Sequence, residues 1–269
     1  MRAGMVEKGI ACAILAVFFT GTGLASPILY SNIPATLPPG GPSDGFAGNG
    51  ITSIGSLMQF AGPVQAYNLD TFTAVLSTAA LQSDFPGQGT SSGWAATVTV
   101  DFNNVGVGDS LGSFIGSSTE VVTIPWRPTG NSGCPTVNGV QGRTPVGSVT
   151  CYTNDLVSVT LGVAGITSAS NNVIATVVLP STSGPYSDLG VALTAATASI
   201  GSNPVALLYQ GGVPASSGSY YAFESVTGSA ATVGSVSSSV PEPETGRAVG
   251  LAFIFIAIAA AIRSKRNKS

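Results

Sequence analysis

The chain of 269 residues contains no histidine. That absence excludes Ser–His–Asp and Cys–His catalysis, and with them zinc or copper centres built on imidazole. Lysine is missing between residues 26 and 240, which removes Schiff-base and Ser–Lys mechanisms. Charge is sparse, at 8% of residues, and positive charge is the scarcer: over the same stretch Arg127 and Arg143 stand against nine acids. Nucleic-acid binding needs clustered Lys and Arg to meet phosphates, so no nucleic-acid partner is expected. No amphipathic helical pattern and no internal repeat is evident in this stretch, which argues against a propeller or a β-solenoid. No cofactor is expected.

What the chain does have is a 44% hydrophobic content, spread through short runs between Gly, Pro, Asn and Ser. "WAATVTVDF" puts Trp94, Ala96, Val98, Val100 and Phe102 on one face and Thr97, Thr99 and Asp101 on the other. A period of two with β-branched residues marks a half-buried strand. "DLVSVTLGV" repeats the pattern with Val157, Val159, Leu161 and Val163 inward, and "NVIATVVLP" stops at Pro180 as a strand should. "SLMQF", "LDTFTAVLS", "STEVVTIP", "DLGVALTAAT", "PVALLYQ" and "YYAF" complete about nine strands. The fold class predicted is all-β, an antiparallel jelly-roll-like β-sandwich over residues 26–226, with a barrel as the alternative. Patterning fades over 227–239, which reads as a flexible linker.

The two ends carry hydrophobic plugs of opposite placement. Residues 1–25 read as a secretory signal peptide: Arg2 and Lys8 precede an apolar run from Gly9 to Phe19, and Gly23 and Ala25 place small residues before a cut at Ser26. Cys12 lies inside that run, leaving Cys134 and Cys151 as a disulfide of the exported body. At the far end, Ala248 to Ile262 is a short uncharged run flanked by Arg247 and Arg263, and residues 247–263 are read as a single C-terminal transmembrane helix. The basic tail 263–269, with Arg263, Lys265, Arg266 and Lys268, places that end in the cytoplasm and the body outside. Just before the helix, Val240-Pro241-Glu242-Pro243 forms an extended segment, because two prolines fix φ and withhold backbone donors. A rigid spacer before a tail anchor would have the same composition.

Signal peptide, body, Val-Pro-Glu-Pro, short apolar helix and basic tail, in that order, resemble the PEP-CTERM sorting domain of Gram-negative bacteria over 240–269. The resemblance implies recognition by an exosortase, cleavage near Pro241-Glu242-Pro243, and inner-membrane anchoring until then. It further implies a final place at the cell surface or in the extracellular matrix, linked to exopolysaccharide and biofilm. The segments "GSLMQFAG", "GWAATVTVDFNNVG", "VTIPWRPTGNSGCP" and "GPYSDLGVAL" are similar to a group of uncharacterised exported bacterial proteins.

Carboxylates are the catalytic chemistry left to the body, and paired acids can hydrolyse glycosides. Nine acids over some 200 residues yield close pairs by chance, and none sits in a motif. "DFNNVGVGD" offers Asp101, Asn103, Asn104 and Asp109 as oxygen ligands for calcium. The twelfth position of that loop is Gly112, not Glu, and a β-turn explains the stretch. In "IPWRP", Trp126 could stack on a sugar ring with Arg127 donating hydrogen bonds; alternatively Trp126 caps the core and Arg127 pairs with an acid such as Glu120. The expectation is a non-catalytic structural or adhesive protein with Trp126 and Arg127 as carbohydrate-binding candidates. The alternative is a secreted carboxylate-based glycan-active enzyme.

Overall fold

The computed structural model describes residues 25–231, apart from 48–49, 138–139, 145–149, 206 and 216–219. Residues 1–24 of the expected signal peptide, the Val240–Pro243 motif, the apolar run 247–263 and the basic tail lie outside the described residues. Among those described, no helix is long and apolar enough to cross a membrane.

The strands are β1 (Ile28–Ser31), β2 (Ser43–Gly45), β3 (Ser53–Gln59), β4 (Tyr67–Thr78), β5 (Trp94–Val105), β6 (Leu111–Ile124), β7 (Thr136–Val137) and β8 (Val140–Gln141). They continue as β9 (Asp155–Ser168), β10 (Asn172–Val178), β11 (Leu189–Thr194), β12 (Leu208–Gln210), β13 (Val213–Ala215), β14 (Tyr221–Ala222) and β15 (Glu224–Ala230). One sheet runs β1-β15-β4-β11-β14, with β9 and β2 attached to β4 and β11; the other runs β13-β12-β3-β10-β5-β6. All pairings are antiparallel, as the sequence pattern predicts. The architecture is β-sandwich-like, with the core between the two sheets.

That core follows from the alternation. Trp94, Ala96, Val98, Val100 and Phe102 of β5 are all buried, and so are Val173, Ala175 and Val177 of the adjoining β10. From the facing sheet come Phe72, Ala74 and Leu76 of β4 and Val159, Leu161 and Val163 of β9. Phe72 and Phe102 meet edge to face between the sheets, with ring centroids 5.7 Å apart, the arrangement their quadrupoles favour. In β4 the inward parity changes from Tyr67 and Leu69 to Phe72, because the ladder with β9 shifts between Leu69 and Thr71. A bulge of this kind lets the strand keep an apolar row inward through a change of register.

Two long edge strands, β6 and β9, run beside each other where the sheets meet. Side chains bridge them: Ser118 Oγ donates to the Gly162 carbonyl (2.6 Å), and Gly162 N donates to Glu120 Oε1 (2.6 Å). Glu120 is therefore engaged with β9 and is not the partner of Arg127.

The sequence reading ends the domain at residue 226, but β15 continues to Ala230, paired with β4 as far as Tyr67. Its last residues are Gly228, Ser229 and Ala230, too small to show a hydrophobic pattern, and the backbone ladder carries the strand. A Cβ at Gly228 would lie 2.2 Å from the Asn68 carbonyl oxygen, so the close pairing needs glycine there. The first strand lies alongside: Gly228 N donates to the Pro27 carbonyl at 3.0 Å.

"DFNNVGVGD" spans the end of β5 and the turn into β6. Gly108 and Asp109 adopt positive φ (65° and 58°), Gly106 and Ser110 close the turn, and Asn104 is bonded to Ser113. Cys134 and Cys151 form the expected disulfide, Cα to Cα 5.6 Å, closing a loop 17 residues apart in sequence. Within that loop Arg143 pairs with Asp155, and its backbone bridges to Tyr152. Few apolar side chains are available here, so the covalent link holds what packing does not. Replacing both cysteines (Cys134→Ala with Cys151→Ala) is expected to cost about 3 kcal/mol by the chain-entropy relation. A calorimetric melt should then fall by roughly 6–12 °C for a domain of this size; a fall under about 1 °C would contradict this account.

Candidate functional site

Trp126 and Arg127 follow the end of β6, where Ile124 pairs with Trp94 at the start of β5. That pairing brings two tryptophans into contact, with centroids 6.4 Å apart. Phe85 stacks on Trp126 from another side (6.3 Å, 13° between planes), and Tyr186 meets Trp94 edge-on at 4.9 Å. Trp126 is half-buried, packs against the core, and donates its indole N–H to the Thr90 carbonyl at 2.7 Å. It both caps the core and lines a cleft of about 380 Å³ with Leu81, Gln82, Ser91 and Thr129.

Arg127 lines the same cleft, yet it is only 2% exposed. Its backbone N–H donates to the Ala80 carbonyl (2.8 Å), and Nε makes a long contact with the Ala79 carbonyl (3.4 Å). Nη1 and Nη2 have no hydrogen-bond partner among the described residues. Burial lowers the pKa of this guanidinium; the more distant charges of Asp155, Asp84 and Asp188 raise it again. Asp188, in turn, is raised above the ordinary carboxyl range, first by burial and then by the charge of Asp84. Asp188 lines a separate cleft with Asn154 and Leu189, so the Trp126 cleft itself holds Arg127 and no carboxylate among its described lining residues.

A second polar centre sits inside the core, and the sequence reading did not single it out. Glu224 on β15 is fully buried and faces across to β3, where Ser56 Oγ donates to Glu224 Oε2. Its other oxygen, Oε1, has no hydrogen-bond partner among the described residues. Around it, Asn32 Oδ1 accepts from Glu224 N (2.7 Å), and Asn203 Nδ2 donates to the Tyr30 hydroxyl (2.6 Å). Burial pushes the Glu224 carboxyl from 4.5 up to about 8, against a smaller lowering by Ser56. Tyr30 is likewise raised, by burial and by Glu224. The signal for this residue was present: the inward parity Ala222, Glu224, Val226 puts the acid in the core once β15 is recognised as a strand.

Of the residues singled out from sequence, the structure brings Trp126 and Arg127 to one cleft and joins Cys134 to Cys151. Ala25 and Ser26 stand at the start of the described chain, ahead of β1. Comparison with family models, with curated proteins and with solved structures finds no match to this chain.

Glu224 gives a testable pH dependence. The folded carboxyl holds its proton to about pH 8, whereas the unfolded one releases it near 4.5. Between those values the folded state binds the extra proton, so stability is intact below pH 4.5 and is lost as pH rises towards 8. For one proton the slope is about 1.4 kcal/mol per pH unit. Urea unfolding of the wild type should show this decline, and Glu224→Gln should flatten it; an unchanged slope in the variant would refute the assignment.

Proposed function

We propose that the chain is an exported protein, directed by residues 1–25 and sorted through its 240–269 segment, whose β-sandwich serves a non-catalytic adhesive or structural role in an exopolysaccharide-rich surface layer. An exosortase-type enzyme would recognise Val240–Pro243 and release the body from the helix at 247–263. The observation that carries this reading is the ordered C-terminal series of Pro-Glu-Pro handle, short apolar run and basic tail. The disulfide supports it, since such bonds persist in oxidising compartments outside the cytosol.

The carbohydrate-binding refinement rests on Trp126 and Arg127 sharing one cleft. It is supported by the layout of β4. Ala230, where β15 ends, pairs with Tyr67 at the start of β4; Thr78 at its other end adjoins the Ala79 and Ala80 carbonyls that receive Arg127. Eleven residue steps at about 3.3 Å each separate these ends by roughly 36 Å, so the cleft opens far from where the chain leaves the domain. The runner-up is a carboxylate-based glycan-active enzyme, in which Asp188, raised by burial, would serve as the acid.

Mass spectrometry of the protein from the extracellular fraction is expected to show a mature N-terminus at Ser26 and a C-terminus near Pro243. Intact tail peptides as the dominant extracellular form would count against processing. On a glycan array, Trp126→Ala should lower the signal at least fivefold, and equal signals would remove Trp126. Release of reducing ends that disappears in Asp188→Asn would select the enzymatic reading.

A further inference from the structure

We propose that a second cleft, between the Phe85–Gly93 loop and the turn before β11, binds one residue of a neutral, hydroxyl-rich glycan. Trp94, Tyr186, Gln88, Ser181 and Ser183 line it. This inference rests on the carbohydrate-binding reading and assigns it a site and a ligand class.

Cavity size and chemistry agree. The cleft measures about 520 Å³, within the range of small-molecule sites. Every described residue lining it is uncharged. Among the described lining residues an anionic ligand would find no cation, and a cationic one no carboxylate. An acyl chain would strip water from the Gln88 amide and the two serine hydroxyls without replacing their hydrogen bonds. A neutral sugar supplies hydroxyls for those groups and C–H faces for the aromatic wall.

The second observation is an unmet donor. Trp94 is 3% exposed, and its indole N–H has no partner among the described residues. Indole nitrogen can only donate, and a buried donor without an acceptor is uncommon. Trp126, two residues past the strand that pairs with Trp94, does find one, the Thr90 carbonyl. That N–H has almost no accessible surface, so a ligand oxygen would reach it only if Trp94 shifts as the cleft fills.

The cleft is also held in shape. Tyr186 packs edge-on against Trp94 and accepts a hydrogen bond from Thr97 N at 2.7 Å, which leaves its own O–H free to donate. Ser181 and Ser183 are bonded to each other at 2.8 Å. Gly184 has φ +60°, and a Cβ there would sit 3.1 Å from Gln88 Oε1, so the glycine lets the Gln88 amide lie against the turn. A preformed site of this kind loses little conformational freedom on binding.

The test is calorimetric titration of the full-length protein with cellohexaose, laminarihexaose and mannohexaose, and with trigalacturonate as the charged probe. The wild type should bind at least one neutral hexasaccharide and favour it over trigalacturonate. Gln88→Ala with Ser183→Ala alters two exposed side chains and should weaken that binding at least tenfold, from two lost hydrogen bonds. Trp94→Phe, which keeps an aromatic ring and removes the donor, should weaken it severalfold. If the Trp94 variant fails to fold, the double variant alone decides. Preference for trigalacturonate overturns the ligand class. Binding that survives the double variant but is lost in Trp126→Ala overturns this site and leaves the broader carbohydrate reading standing. No binding to any probe overturns both.

Discussion

Scarcity of positive charge governs how this domain handles its buried polar groups. A body with nine acids and two arginines cannot answer each interior carboxylate with a cation. Arg143 is committed to Asp155 beside the disulfide, and Arg127 is buried with both terminal nitrogens unpaired among the described residues. Glu224 is left to neutralise itself by keeping its proton and to use Ser56 as its partner across the sheets. An isolated buried carboxylate is costly enough that protonation is the cheaper state. The cleft lined by Trp94 and Tyr186 has no charged side chain among its described lining residues, which suits a neutral ligand.

Packing supplies what charge does not. The sheets meet through rows of β-branched and aromatic residues, with Phe72 against Phe102 between them. At one side the long edges of β6 and β9 are bridged through Ser118 and Glu120 rather than left as bare backbone. Exposed edge strands invite pairing with other chains, and occupying their polar groups reduces that hazard.

Strands with one unbroken parity were legible from sequence: β5 and β10 show their inward rows directly. In β4 the row changes parity at Asp70, and one period of two does not fit both halves. Strands such as β2, β7 and β8 span two or three residues, too few for any period, and owe their existence to their partners. β15 was half-hidden because a glutamate stands where an apolar residue would announce the inward face, and because Gly228-Ser229-Ala230 has no pattern. For the candidate site, Trp126 and Arg127 stood out as an aromatic and a cation between two prolines. The unmet N–H of Trp94 depends on which carbonyls the folded chain brings near it, and no local pattern encodes that.

The pairing of β15 has a mechanical consequence. Any pull transmitted by the chain beyond Ala230 enters lengthwise along β15, which is hydrogen-bonded to β1 on one edge and to β4 on the other. If the opposing hold is taken near Arg127, tension runs down β4 and the strands are sheared. The hydrogen bonds then share the load in parallel rather than opening one after another, so a tethered domain built this way resists drag better than one whose last strand could be peeled.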